Sequence, residues 1–571
     1  MDFTAFLDAL NAVLWHDSVL YILLGVGVLF TAWSGFSQYR AMTHGVRVIR
    51  GDYDNRDDPG ALNHFQALSA ALSGTIGLGN IGGVALAVAL GGPGAVFWMW
   101  VVGFFGMALK LTEVTQAMLF RNADNPDNPH GGPMWVASKG LATINPKLAG
   151  AGKFLGGLYC VAMLVSCMLD GNLFQAWNVA NVTESYFGLP ALVTGVILAV
   201  LVGLVIIGGI KRIGSVTGSL VPTMCAIYLL AALYVLATNI TALPGLLQLI
   251  VVSAFNPQEA AGAFLGGTVG FALLAGMRRA FYSNEAGRGS AAMAHSAAKT
   301  DEPVREGVVA GLAPFIDTLV ICTLTALVIL VSGVWNRDAE ANYADAPPIV
   351  AVSDTAWTVE TLPVPAAGED WPLGEDVFMI LEAGDNKQTG NDLHRLDGVV
   401  QMQDGEKVVA WEIMQSVEEP TVHDTGVYVS YPGAALTAKA FDASQPGLGK
   451  GMVTLAVWLF ALSTIITWSY YGEQAIVYLI GEKAVLPYKL VYCAVVVIAT
   501  MGFITTPEEL ATYSVVGVGL MLWVNVPIML IMGHHAMRAY HEYIGRLKGG
   551  QMPANETRTS WWAVLRGKNV E

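Results

Sequence analysis

Long apolar runs separated by short polar connections set the rhythm of the chain. Eleven runs are long enough to cross a bilayer as helices, which takes about 20 mostly apolar residues. They cover 17–37, 63–88, 92–118, 155–183, 190–209, 214–237, 260–283, 305–333, 450–480, 486–504 and 508–533. The second run is interrupted in its middle by SGTIGLGNIGG, residues 73–83, which holds Gly74, Gly77, Gly79, Gly82 and Gly83 together with Thr75 and Asn80. The seventh contains Gly266, Gly267, Gly270 and Gly276. One connection differs from the rest. Residues 334–448 include stretches such as GVVQMQDGEKVVAWEIM, with the two-residue alternation of strands and Asp-Gly turns. The pattern predicts an all-α polytopic membrane protein carrying one small β-rich insert.

Charge placement orients these elements. Lys and Arg fall in every second connection, beginning with Arg40, Arg47, Arg50 and Arg56, while 238–259 and 505–507 carry none. Basic loops stay on the cytoplasmic side, so the N-terminus is expected outside, the C-terminus inside and the insert outside. The first 17 residues contain Asp2, Asp8 and Asp17 but no basic residue, unlike a cleaved signal peptide. Only 13% of residues are charged, against about 25% in soluble domains, which agrees with the apolar runs. The net charge is −15, and residues 333–448 alone hold 20 acidic and five basic side chains. The acidity therefore belongs to the insert, where a solvated surface explains it. It also argues against a nucleic-acid partner. Cys160, Cys167, Cys225, Cys322 and Cys493 lie in apolar runs at irregular spacing, which indicates neither a zinc site nor a disulfide framework.

The interrupted runs carry the candidate chemistry. Glycine in a span also serves close helix packing. Five glycines in eleven residues, with Thr75 and Asn80 among them, fit a helix broken at the membrane midplane better. Transporters built on inverted repeats bind substrate at such breaks, at matching places in the two halves. A break frees backbone N–H and C=O groups that must find partners in a low-dielectric setting. The N-terminal end of the second half suits a carboxylate. Freed carbonyls and the Thr75 and Asn80 oxygens suit a hard cation. A zwitterion with a small cation matches that chemistry. Asp170, Asn172, Gln175 and Asn178 in the fourth run, and Ser463, Thr464, Thr467 and Trp468 in the ninth, are further polar or walling candidates. Ser and Thr in a span often bond only their own helix backbone. Asp317 is an ionisable group within the eighth run and so a functional candidate. There is no HExxH, GxSxG or GxxxxGK[ST] motif, so neither an enzyme nor an ATP-driven pump is indicated.

Several stretches resemble the alanine or glycine:cation symporter (sodium:alanine symporter) family. They are GGPGAVFWMWVVGFFG at 91–106, GGPMW at 131–135, SNEAGRGSAAMAHSAAKTDEPVREG at 283–307, IDTLVICTLTALVI at 316–329 and STIITWSYYGEQ at 463–474. Gly103 stands where the family signature usually has Ser, Thr, Ala or Val, and the acidic insert departs from the compact family pattern. The resemblance implies a LeuT-type fold of the amino acid–polyamine–organocation superfamily, a 5+5 inverted repeat after one extra N-terminal helix. It divides the chain into 1–62, a first repeat at 63–237, a second at 238–333 with 449–533, the insert at 334–448 and a cytoplasmic tail at 534–571. It implies sodium-coupled uptake of alanine or glycine across a bacterial or archaeal cell membrane, with no organic cofactor and no partner protein. Thr75, Gly77, Gly79, Asn80, Gln175, Thr464 and Trp468 would line the substrate site. Gly74, Thr75, Ile76, Asn80, Ser463 and Thr464 would hold sodium. The stretch SNEAGRGSA is expected to serve as gate or scaffold. Proton coupling through Asp317 and a non-transporting amino-acid sensor are the alternatives.

Overall fold

Apolar helices dominate the computed structural model, which describes residues 3–55, 57–256, 269–366, 371–384, 386, 391–431, 433–503, 507–552, 554–555 and 560–565. The helices that frame the site are α1 (Asp17–Trp33), α2 (His64–Thr75), α3 (Val84–Gly91), α4 (Gly94–Leu119), α5 (Ala149–Met168), α6 (Gln175–Phe187), α7 (Gly209–Thr238), α8 (Val269–Asn284), α9 (Thr323–Ser332), α10 (Ala434–Ser444), α11 (Leu448–Leu479) and α12 (Pro507–Ile531). Among the described residues, seven helices are long and apolar enough to cross a membrane, and the bent pair His64–Thr75 and Gly79–Gly91 makes an eighth. Eleven apolar runs and eight such spans differ for a geometric reason. The runs at 190–209 and 486–504 form helices of only 16 and 14 residues, Ala191–Ile206 and Val485–Ile498. At 1.5 Å per residue these are shorter than the hydrocarbon core. Of the run at 260–283, Gly266 and Gly267 lie outside the described residues, and α8 is helical from Val269.

Phe154, Val200, Leu230 and Leu490 stand exposed on the outer surface of the bundle. An apolar exterior of this kind suits hydrocarbon rather than water. The centre of the bundle is α11, which packs against α2, α5, α6, α7 and α10. Every residue from Ser463 to Ala475 is buried, so this helix presents no solvent or lipid face over almost four turns.

The insert forms two antiparallel sheets from strands β1 (Ala341–Asn342), β2 (Ile349–Ser353), β3 (Ala356–Val359), β4 (Asp376–Glu382), β5 (Leu393–Gln403), β6 (Glu406–Trp411), β7 (Met414–Gln415), β8 (Thr421–Val422) and β9 (Gly426–Val429). One sheet has the order β1-β9-β4-β5-β6 with β8 also on β4, and the other runs β2-β3-β7. Asp404 and Gly405 join β5 to β6 with φ +52° and +88°, the left-handed pair that a tight hairpin turn demands. Trp371, Val377, Met379, Leu396, Val409 and Trp411 build a core separate from that of the bundle. The Ser416 N–H donates to the Thr355 carbonyl at 2.9 Å, so the two ends of the segment between them lie side by side.

The insert leads into α10, and α10 rests on the interrupted span. Thr437 Oγ1 donates to the Ile81 carbonyl at 3.1 Å. A Cβ at Gly82 would come within 2.8 Å of the Ala434 nitrogen.

Candidate functional site

The break at 73–83 starts from a well-anchored helix. Asn63 caps α2, accepting the Gln66 N–H at 2.7 Å while the Gln66 side chain accepts the Asn63 N–H at 3.2 Å. The helix ends where Ile76 turns to an extended conformation, φ −77° and ψ 92°. The chain then widens into a π-helical turn at Gly79–Gly83 before α3, and the two halves diverge by 56°. None of the five glycines takes a positive φ. Their value is space. A Cβ at Gly77 would lie 2.9 Å from Thr464 Oγ1, one at Gly74 would lie 3.0 Å from the Tyr471 hydroxyl, and one at Gly83 would collide with the Arg279 guanidinium. Glycine here lets α11 and α8 press against bare backbone, whereas the turn itself uses ordinary backbone angles.

A cavity with about 300 Å³ of space, including its open mouth, lies beside the break. Gly74, Thr75, Gly77, Gly79, Gln175, Thr464 and Trp468 all line it. Ile76, Asn80 and Ser463 stand back from its wall. Asn80 is fully buried, with its amide already engaged: Oδ1 accepts the Gly77 N–H at 2.9 Å, and Nδ2 donates to Asp317 at 2.6 Å. The Ser463 hydroxyl donates to the Phe460 carbonyl at 2.8 Å and approaches the Ser73 carbonyl at 3.3 Å. Thr464 Oγ1 reaches that same carbonyl at 3.2 Å. Ser73 answers by donating to the Ser463 carbonyl at 2.7 Å. The Gly74 carbonyl accepts the Trp468 indole N–H at 3.3 Å, and Thr75 Oγ1 donates to the Leu72 carbonyl at 3.3 Å. Of the groups expected to hold a cation, the Gly74 carbonyl already accepts from α11, and the Ser463 and Thr464 hydroxyls are directed to carbonyls of Phe460 and Ser73. Trp468 is fixed as a wall, and its ring lies so close to Gly171 that a Cβ there would collide with it.

Leu78, Asp170, Tyr282, Ser283, Glu285 and Arg288 complete the lining. Asp170 was visible in the sequence as a polar residue of its run. Leu78 belongs to the break itself, and the others come from the end of α8 and the SNEAGRGSA stretch, whose charges Glu285 and Arg288 at the end of an apolar run were the available signal. Glu285 has φ +55°, a left-handed conformation that costs a residue with a Cβ about 1–2 kcal/mol. That geometry brings its carboxylate to the Ser290 hydroxyl at 2.6 Å. The Tyr282 hydroxyl donates to Asp170. Behind the cavity, Asp317 is fully buried in the wide-turn segment Phe315–Cys322. It accepts from Asn80, from Ser283 at 3.0 Å and from Thr318 at 2.8 Å. Among the described residues it makes no ion pair. A buried carboxylate held only by neutral donors in a membrane is a place for a cation. Asn172 and Asn178 bond elsewhere, to the Tyr492 and Phe174 carbonyls.

Comparison with known proteins identifies the family. The family model described as the sodium:alanine symporter family matches residues 1–353 and 416–557, leaving 354–415 outside the match. The sodium/alanine symporter AgcS of Methanococcus maripaludis is 34% identical over 495 residues, 87% of this chain and 88% of the relative. YrbD of Bacillus subtilis, named provisionally as a sodium/proton-dependent alanine carrier protein, is 32% identical over 96% of this chain and 94% of its own length. The amino-acid carrier protein AlsT of Bacillus subtilis is 37% identical over 55% of this chain and 64% of its own length. The chain is thus a multi-pass membrane transporter, not an enzyme, and it belongs to the sodium:alanine symporter family.

Proposed function

We propose that this protein takes up a small neutral amino acid, alanine or glycine, together with Na⁺, by alternating access across a bacterial or archaeal cell membrane. The observation that carries the reading is the small polar cavity at the broken helix, walled by Trp468 and bordered by the Gly77–Gly79 backbone. A fixed indole closing one side of the cavity favours a substrate with a short side chain. The backbone at Leu78 and Gly79, where the helical second half of the span begins, offers partial positive charge to a carboxylate. Asp317, with Asn80 and Ser283, offers an anionic place for a coupling cation. The names of AgcS and YrbD support alanine as substrate and Na⁺ as the ion. In this reading the membrane helices form a five-plus-five inverted repeat, and the N-terminus and insert face outward with the C-terminus in the cytoplasm. An inward-moving Na⁺ gains about 2.3 kcal/mol per 100 mV of membrane potential in addition to its concentration gradient.

Uptake of labelled alanine into proteoliposomes tests the reading. Accumulation should follow an imposed Na⁺ gradient and vanish when choline replaces Na⁺. Accumulation indifferent to that replacement removes the sodium coupling. A second reading, proton coupling through Asp317, draws on its neutral surroundings and on the name of YrbD. Uptake abolished by a protonophore and insensitive to Na⁺ would select it.

A further inference from the structure

We infer that the Asp170 carboxylate, assisted by Gln175 Oε1, is the counter-group for the substrate's ammonium. This rests on the proposed function and extends it to the orientation of the bound zwitterion. The charges around the cavity do not balance. Its wall holds two carboxylates, Asp170 and Glu285, and one guanidinium, Arg288. Arg288 does not neutralise either one by direct bonding. Its Nη1 stays 3.9 Å from both carboxylates, while its Nη2 donates to the Tyr282 carbonyl at 2.9 Å. The next layer adds Arg279, 5.3 Å over the Tyr282 ring, and the buried Asp317, which leaves the excess at one negative charge. Such a wall attracts a cationic group into a site whose buried surroundings screen the interaction less than bulk water does.

The acceptors are placed to use that attraction. Asp170 is 4% exposed, and among the described residues its carboxylate accepts a hydrogen bond from Tyr282 alone. A carboxylate has roughly four acceptor positions, so capacity remains. Gln175 is 6% exposed and donates its Nε2 to the Asp170 backbone carbonyl at 3.3 Å, and both residues line the same cavity. Its Oε1 is buried with no hydrogen-bond partner, a costly state unless a donor arrives. That oxygen lies 3.9 Å from where a Cβ on Gly77 would stand, so it faces the break. The cavity is therefore polarised: acceptors on the α5–α6 side, backbone of the break on the other. A zwitterion fits with its ammonium toward Asp170 and Gln175 and its carboxylate toward Gly77–Gly79.

Two half-ligands separate this orientation from its reverse without any mutation. Thermal unfolding of the detergent-purified protein is followed at neutral pH with alanine, ethylammonium or propionate, all in Na⁺. Alanine and ethylammonium should raise Tm, and propionate, which gains no charged partner, should raise it less than ethylammonium. A rise with propionate that matches or exceeds that with ethylammonium overturns the inference. In proteoliposomes, Asp170→Asn should raise the KM for alanine by roughly ten- to a hundredfold, as expected for one lost charged hydrogen bond. The Na⁺ concentration for half-maximal uptake should stay within twofold. A shift in Na⁺ dependence with the alanine KM unchanged would instead make Asp170 a cation ligand and end the proposal. Absence of sodium-driven alanine uptake in the wild type removes the proposed function. Ethylammonium binding still reports on the site in that case.

Discussion

Gly77 shows how one missing methyl group shapes the site. Its backbone faces Thr464 so closely that Gly77→Ala would set a Cβ 2.9 Å from the hydroxyl oxygen. Overpacking of this kind costs about 1–3 kcal/mol. Alanine uptake by that variant should fall sharply while the protein still purifies as a folded species, checked by size-exclusion profile and uptake rate. Thr464→Ala, which removes the opposing hydroxyl, should recover part of the lost stability in the double variant, read by thermal unfolding. Glycine excess made this residue legible in the sequence, and the structure shows that the excess serves both the break and the close approach of α11 and α8. Asn80 was legible only as a polar side chain. That its amide is consumed by Gly77 and Asp317 depends on a residue 237 positions away. Arg288 and Glu285 escaped for the same reason: their entry to the cavity wall is decided by how the end of α8 folds back.

At the scale of elements, buried polar contacts tie helix ends together where the apolar pattern gives no instruction. Glu306 is fully buried and accepts from two imidazoles, His64 at the start of α2 and His295 at 2.5 Å in the short helix Ala291–Ser296. Removing one partner from a buried charged cluster costs about 3–5 kcal/mol. Glu306→Ala should therefore lower the unfolding midpoint in denaturant markedly, whereas Glu306→Gln, which keeps an acceptor, should lower it less. His44, in the connection between α1 and α2, supplies a pH dependence. Burial, with Arg47, Arg305 and Arg40 close by, pushes its imidazole down to about 4 from 6.5. The folded value lies below the unfolded one. The neutral ring therefore stabilises the fold fully above pH 6.5, and that stabilisation is lost as pH falls toward about 4. The shift is worth at most about 3 kcal/mol. His44→Gln should flatten the stability profile in this acid window, read by thermal unfolding between pH 4 and pH 7. Helix positions were legible in hydropathy, and the β5–β6 turn in its Asp-Gly pair. Helix lengths at 190–209 and 486–504 were not, because apolar composition continues past the point where the backbone turns.

The whole molecule joins two bodies with different solvents: a bundle whose exterior is apolar and a sheet domain with an acidic surface and its own core. The family match covers the bundle and stops at 353, resuming at 416. The sequence marked the insert as 334–448, a broader stretch, because its bounds were the ends of the neighbouring apolar runs, whereas the family match continues into both ends of that connection. Deletion of 356–415, with a short glycine link from Thr355 to Ser416, should leave sodium-dependent uptake in place. Loss of uptake from a well-folded deletion variant would show that the segment takes part in the transport cycle.

The hydrogen bond between Ser416 and Thr355 has a further consequence. A segment that departs and returns at one point adds mass without lengthening the path between α9 and α10. During synthesis the ribosome must complete the whole excursion before α10 and α11 emerge, and α11 is the helix around which the bundle closes. The extra domain therefore acts as a delay line. It leaves the helices that precede it in the membrane, unfinished at their centre, for the time needed to translate some sixty more codons.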